Sequence, residues 1–282
     1  MYLVVTGVIV LLVGLYLYRQ NYIHKINSYD IFIPNLHTSL KGKKIVFISD
    51  THFRENVSHF FIDRLLTEIE KMGPDLILFG GDIVHIVSSD QVIEHTKDFF
   101  SQLTMIASTY VVYGNHDLNS DKKKEITETL QRVGATLLDN EATWVSFDDS
   151  ETGFWLMGLN EYMSSISIKQ DALPKIKLPE VNKNAPRILL AHYPHFFEKY
   201  LVDESKRPHL TLSGHAHGGQ AILPIIGGLF APGQGFNPYY DFGLFTSEKY
   251  PDSRLIISHG LGNSSFPFRV NNRPEIVTIK FK

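Results

Sequence analysis

Apolar positions along this chain fall into three rhythms, and each predicts a different kind of element. Residues 1–18 (MYLVVTGVIVLLVGLYLY) form one long stretch without a charged side chain. Further on, short apolar runs such as Ile45–Ile48 and Leu76–Phe79 are bounded by polar and turn residues. Runs of that length read as strands buried on both faces. Between them Phe61, Leu65, Leu66, Ile69 and Met72 recur at a helical period across residues 58–72, and Gly73-Pro74 ends the pattern. This is a βαβ unit, which is right-handed in nearly all cases. Helices are predicted again over 90–103 and 122–133, with the strand Thr109–Tyr113 between them. Beyond Gly134 the rhythm shifts to short strands: Ala135–Leu138, Thr143–Phe147, Phe154–Leu159, Arg187–His192, Leu210–Ser213, Arg254–Ser258 and Glu275–Phe281. A polar, proline-containing segment over 171–186 interrupts them. Helix-linked strands first and strand-rich segments later predict a single α/β domain built on two sheets.

The first stretch has the length of a membrane span. At 1.5 Å per residue, residues 1–18 cover roughly 27 Å, close to the roughly 30 Å hydrocarbon core. A cleaved leader would carry a basic start and small residues at its end; here Leu15, Tyr16, Leu17 and Tyr18 occupy that end. The positive charges Arg19, Lys25, Lys41, Lys43 and Lys44 all follow the stretch, which by the positive-inside rule puts the remainder in the cytoplasm. The expected organisation is a transmembrane anchor over 1–18, a polar linker over 19–43 and a catalytic domain over 44–282. The expected location is the cell membrane, with a single pass.

Composition narrows the chemistry. The chain has 282 residues, 43% hydrophobic and 20% charged, with a net charge of −3. That balance gives no basic footprint for nucleic acid, and no nucleic-acid partner is expected. There is no cysteine, which excludes disulfides, thiolate ligands and a cysteine nucleophile. A metal here must be held by His, Asp, Glu or Asn.

Five predicted strands end in such residues. They deliver Asp50 and His52, Asp82, Asn115 and His116, His192, and His215 and His217. Asp82 follows Gly80-Gly81, where the backbone turns sharply and close approach is possible, at the carboxyl end of a central strand. These oxygen and nitrogen donors suit Mn, Zn and Fe. Seven of them fill two sites if one carboxylate bridges, and paired cations clamp both oxygens of an in-line displacement. Water held between two cations is acidified toward neutral pH, which supplies a nucleophile without Ser or Cys.

Asp-x-His, Gly-Gly-Asp, Gly-Asn-His-Asp, a lone His and Gly-His-x-His, in this order, resemble the calcineurin-like metallophosphoesterase superfamily across Lys44–Phe281. Gly214–Gln220, together with Gly260–Ser264, Arg269 and Arg273-Pro274-Glu275, is similar to its membrane-anchored bacterial branch, which includes enzymes likened to UDP-2,3-diacylglucosamine pyrophosphatases. The family's usual Thr between the two histidines is Ala216 here. The resemblance implies a four-layer αββα sandwich of two mixed sheets. It implies hydrolysis of a phosphoester or pyrophosphate with two divalent metal ions. Asp50, His52 and His217 would hold one metal, and Asn115, His192 and His215 the other, with Asp82 bridging. His116 would protonate the leaving oxygen or stabilise the phosphoryl charge, with Asp117 orienting its ring.

Several residues allow two readings. Arg54, Arg269 and Arg273 are either phosphate-gripping or solvated loop arginines. His195 and His259 are either structural or in contact with substrate. Residues 221–245, rich in Gly and aromatics, form either a hairpin packed into the core or an apolar rim that meets a lipid-linked substrate. The expected substrate is a small-molecule or lipid-linked phosphoester such as a UDP-sugar lipid. A soluble nucleotide and a catalytically silent anchored scaffold are the alternatives.

Overall fold

A computed structural model of the chain describes residues 2–34, 36–147, 152–161, 173, 175–263 and 266–282. Ser264 of the Gly260–Ser264 motif and the opening of the 171–186 segment lie outside these residues. The order begins with α1 (Tyr2–Tyr22), β1 (Lys25–Ile31), β2 (Lys44–Ile48), α2 (His59–Met72), β3 (Leu76–Phe79), α3 (Asp90–Ile106), β4 (Thr109–Val111), α4 (Asn115–Asn119), α5 (Lys123–Arg132) and β5 (Thr136–Leu137). It continues with β6 (Glu141–Val145), β7 (Phe154–Gly158), β8 (Arg187–Leu190), α6 (Phe197–Tyr200) and β9 (Leu210–Ser213). Two small hairpins follow, β10 (Ile222–Leu223) with β11 (Gly227–Gly228), and β12 (Phe230–Ala231) with β13 (Gly235–Phe236). The last strands are β14 (Gly243–Thr246), β15 (Arg254–Ile257) and β16 (Glu275–Phe281).

Among the described residues these strands build two large mixed sheets, ordered β1-β16-β2-β3-β4-β5 and β14-β15-β9-β8-β7-β6. β2 to β5 run parallel, as do β7, β8, β9 and β15. Alternate residues of each central strand serve different cores. Ile45, Phe47, Leu76 and Leu78 meet Leu156, Ile188, Leu190 and Leu212 between the sheets. Val46, Ile48, Ile77 and Phe79 pack outward with Phe61 and Leu65 of α2 and Phe100 of α3. Burial on both faces is why these strands read as unbroken apolar runs. Over the second sheet the helical layer is slight among the described residues. There α6 spans 4 residues and contributes Tyr200 against Met157 and Leu189, and Phe197 against Leu255 and Ile257.

Local signals set the helix ends. Ser58 caps α2 by accepting the Phe61 N–H at 3.3 Å. Gly73, at φ 56°, closes the helix in the left-handed conformation.

Two boundaries differ from the expected ones. The segment read as a linker over 19–43 contains β1, which pairs in parallel with β16 from Lys25↔Glu275 to Ile31↔Phe281. Its side chains alternate between half-buried and exposed as far as Asp30, as those of a sheet-edge strand do, so it carries no apolar run. Helix α1 continues past Tyr18 to Tyr22, and its end is fastened to the body of the protein. The Tyr16 hydroxyl bonds to the Asn271 side chain and backbone N–H, each at 3.0 Å. Gln20 Oε1 accepts from the Asn272 N–H at 2.9 Å, and Asn21 Oδ1 accepts from Asn263 Nδ2 at 2.8 Å. α1 is long and apolar enough to cross a membrane.

Candidate metal centre

The carboxyl ends of β2, β3 and β4 from one sheet meet those of β8 and β9 from the other. They bring together Asp50, His52, Asp82, His192, His215 and His217, all six buried, while half-buried Asn115 opens α4 after β4. Three sets of donor atoms converge: Asp50, His52 and His217; Asp82, His192 and His215; and His52, Asp82 and His116. His52 Nε2 lies 3.0 Å from His217 Nε2, and His217 Nε2 lies 3.5 Å from Asp50 Oδ1. Asp82 stands between the two groups, with Oδ2 at 3.5 Å from His52 Nε2 and 3.3 Å from His192 Nε2.

The backbone is held in unusual shapes to achieve this. Asp50, His52, Asp82, His215 and His217 adopt φ of 55°, 44°, 55°, 67° and 49°. Each such non-glycine residue costs about 1–3 kcal/mol and persists only where its surroundings dictate it, which happens mainly at functional sites. Here the loops brace one another. Asp50 N donates to Gly81 O at 2.9 Å and His52 N to Asp82 O at 3.1 Å. His116 N donates to Asp82 Oδ1 at 2.8 Å, and His215 N donates to Asp50 Oδ1 at 3.0 Å. Glycine is required where these loops touch. A β-carbon on Gly114 would collide with Asp82 Oδ1, and one on Gly214 with Asp50 Oδ2.

The donors fit cations. Burial lowers His52 to about 3 and holds His215 and His217 well below the usual histidine range, so their rings are neutral, the form that binds metal. His192 is the exception. Burial opposes its charge, but the Asp82 and Asp50 carboxylates raise its pKa, so a cation held here would take the place of a proton. His192 Nδ1 faces the Gly80 carbonyl at 2.8 Å. A carbonyl only accepts, so Nδ1 is the donor and Nε2 is left toward Asp82. Among the described residues Asn115 Oδ1 is buried without a hydrogen-bond partner, as the oxygen of a cation ligand would be.

A family model described as calcineurin-like phosphoesterase matches residues 43–219, more than half of the chain. The chain is a calcineurin-like phosphoesterase. It is 32% identical to phosphodiesterase YaeI of Escherichia coli (strain K12), over 84% of this chain and 81% of that protein. It is 30% identical to the uncharacterized metallophosphoesterase Cj0846 of Campylobacter jejuni, over 92% of this chain. A Danio rerio transmembrane protein with metallophosphoesterase domain is 26% identical, also over 92% of this chain. The matches span 63% and 57% of the lengths of those two relatives.

In this phosphoesterase His116 stands edge-on to His52, with ring centroids 4.5 Å apart. Its Nδ1 is buried without a hydrogen-bond partner among the described residues. Asp117, expected to orient that ring, faces elsewhere. Its Oδ1 accepts from the Ile83 and Val84 N–H groups at 2.9 and 3.1 Å, and its Oδ2 from Gly114 N–H at 2.9 Å. Neighbouring residues on a helix point in different directions, so Asp117 clamps the loops after β3 and β4 instead. Two arginines and one histidine are also structural. Arg269 is fully buried and donates to the carbonyls of His259, Gly260 and Gly262. Arg273 donates to Ile23 O and His24 O at the junction of α1 and β1. His259 is buried between Lys25 and Asn272. His195 does approach the centre, its ring 6.0 Å from that of His215. Sequence reasoning missed His85, whose ring centroid lies 5.1 Å from that of His116. Its position three residues after Asp82, on the same loop, was the available signal.

Proposed function

We propose that this metal-dependent phosphoester hydrolase uses two divalent cations, Mn, Zn or Fe, on a membrane-borne substrate with a lipid-linked phosphoester or pyrophosphate. Asp50, His52 and His217 would hold one cation, and Asn115, His192 and His215 the other, with Asp82 shared. When bound, such ions supply positive charge to the phosphoryl oxygens and acidify the attacking water. His116 faces the same space. Burial lowers its pKa, a shift the Asp82 carboxylate opposes and Arg54 reinforces. The role that fits is a neutral N–H donating to a phosphoryl oxygen. Asp117 and the three amides it binds keep the β3 and β4 loops, and so Asp82 and His116, in register.

One observation carries the membrane-borne substrate. Ile225, Ile226, Phe230, Phe236, Phe266 and Phe268 are exposed on segments fastened beside α1. Gln220 Nε2 donates to Phe266 O and Phe268 O at 3.0 and 3.1 Å. Asn271, which binds Tyr16 of α1, also donates to Ile222 O at 3.3 Å. Within the 221–245 segment Ala231 is buried and Tyr240 and Phe245 pack against the core, while Ile225 and Ile226 at the first hairpin's tip and Phe230 and Phe236 on the second hairpin's strands are exposed. Exposed apolar patches of this kind mark interaction sites. The basic residues after α1 favour the cytoplasmic side for the domain.

The test replaces Ile225, Ile226 and Phe230 together by Ser in the full-length protein in vesicles. Turnover of a lipid-linked pyrophosphate is expected to fall about tenfold as the contact of this segment with the bilayer is lost while α1 stays inserted. Turnover of a soluble chromogenic phosphodiester should stay within about twofold. Equal rates on the lipid substrate before and after substitution would contradict the proposal.

A further inference from the structure

We infer that the cleft between the last turn of α1 and the start of α2 receives the apolar group of the phosphoester substrate, and that α1 is one of its walls. This rests on the reading of a membrane-borne substrate above. The cleft has a volume of about 300 Å³, within the range of small-molecule sites. Asn21 and Tyr22 of α1 line it together with Phe53, Val57, Phe61 and Leu261. His52 lines it as well, so a group in the cleft is continuous with a phosphoryl group at the centre.

The position of α1 argues for an amphiphile as the occupant. Its 21 residues rise about 31 Å, the depth of a hydrocarbon core. Arg19 and the polar residues after it put Tyr22 just past the point where a spanning helix leaves the acyl region. A cleft walled by that turn opens at the level where a lipid's phosphate meets its chains. The wall is also tied to the centre. Asn272 donates its backbone N–H to Gln20 Oε1 at 2.9 Å and its side-chain Nδ2 to His217 O at 2.6 Å. One residue thus fixes both the end of α1 and the loop of a candidate ligand.

The experiment uses the full-length protein in amphipol, with p-nitrophenyl methyl phosphate and p-nitrophenyl hexyl phosphate as substrates. Each methylene buried in an apolar site strengthens binding by up to about fourfold, so five additional carbons leave ample room for a tenfold effect. The hexyl ester is expected to exceed the methyl ester in kcat/KM by at least about tenfold. Val57→Trp, which fills the cleft, is expected to abolish that preference by bringing kcat/KM of the hexyl ester down to that of the methyl ester. Calorimetric binding of hexyl phosphate against methyl phosphate gives a readout independent of turnover and should show the same preference. Equal kcat/KM for the two esters, or a preference that survives Val57→Trp, would overturn the inference. If neither ester is hydrolysed, the enzymatic reading fails. The calorimetric comparison then still decides the cleft, and equal affinities would overturn it.

Discussion

Asp82→Asn is expected to lower kcat/KM on a soluble chromogenic phosphodiester by about 10²–10³-fold while leaving the fold intact. Asp82 is the group common to both halves of the centre, with Oδ2 3.5 Å from His52 Nε2 and 3.3 Å from His192 Nε2. Its Oδ1 accepts the His116 N–H at 2.8 Å. Asn keeps the shape and the Oδ1 acceptor but loses the charge that two cations would share, and removing one preorganised electrostatic group commonly costs about 10²–10³ in rate. Asn also tolerates the left-handed backbone that Asp82 adopts at φ 55°, so the melting temperature should move by no more than a few degrees. Steady-state kinetics, a thermal melt and a metal assay on one preparation check all three points. More than a tenth of the wild-type activity would contradict the assignment of Asp82 as the shared ligand.

Arg269→Ala is expected to be the most damaging substitution away from the ligands, through stability. The guanidinium is fully buried. It donates to His259 O at 2.8 Å, Gly260 O at 3.3 Å and Asn263 Oδ1 at 2.9 Å, and also to Gly262 O. Truncation takes the guanidinium donor away from the buried His259 carbonyl and from its other acceptors and leaves a cavity, at a cost of about 3–5 kcal/mol. In a domain of this size that lowers the melting temperature by about 10 °C. The damage should spread to the centre, because the same loop holds the first motif. Leu261 N donates to Ser49 O at 2.9 Å and Gly262 N to Asp50 O at 2.6 Å. Arg269→Lys, with one ammonium in place of a fork, should recover only part of the loss. A melting temperature within 2 °C of wild type would contradict this role.

What could be read from the sequence, and what could not, follows from how each residue is used. Ile45 to Ile48 announced a strand because neighbouring side chains enter cores on opposite faces of the sheet. The candidate ligand residues stood out because each motif places them directly after such a strand. β1 was not legible, since an edge strand is held by backbone pairing and its Asn, Ser and Asp show no apolar period. The true end of α1 was hidden because Gln20 and Asn21 look like linker residues until Asn272 and Asn263 are seen to bind them. Asp117 next to His116 suggested a ring-orienting carboxylate, but three backbone amides claim its oxygens. A buried Arg269 left no trace in composition, because its partners are carbonyls, which every residue carries.

The central claim is that these strand-end residues hold two cations that power hydrolysis. The measurement that bears on it most directly is a metal count coupled to turnover. The protein is stripped with a chelator and resupplied with Mn, Zn or Fe. Bound ions are counted by plasma mass spectrometry while hydrolysis of a chromogenic phosphodiester is followed in the same sample. The account predicts about two ions per chain, with turnover lost on stripping and restored on loading. No bound ion, or full turnover in the stripped protein, would contradict it.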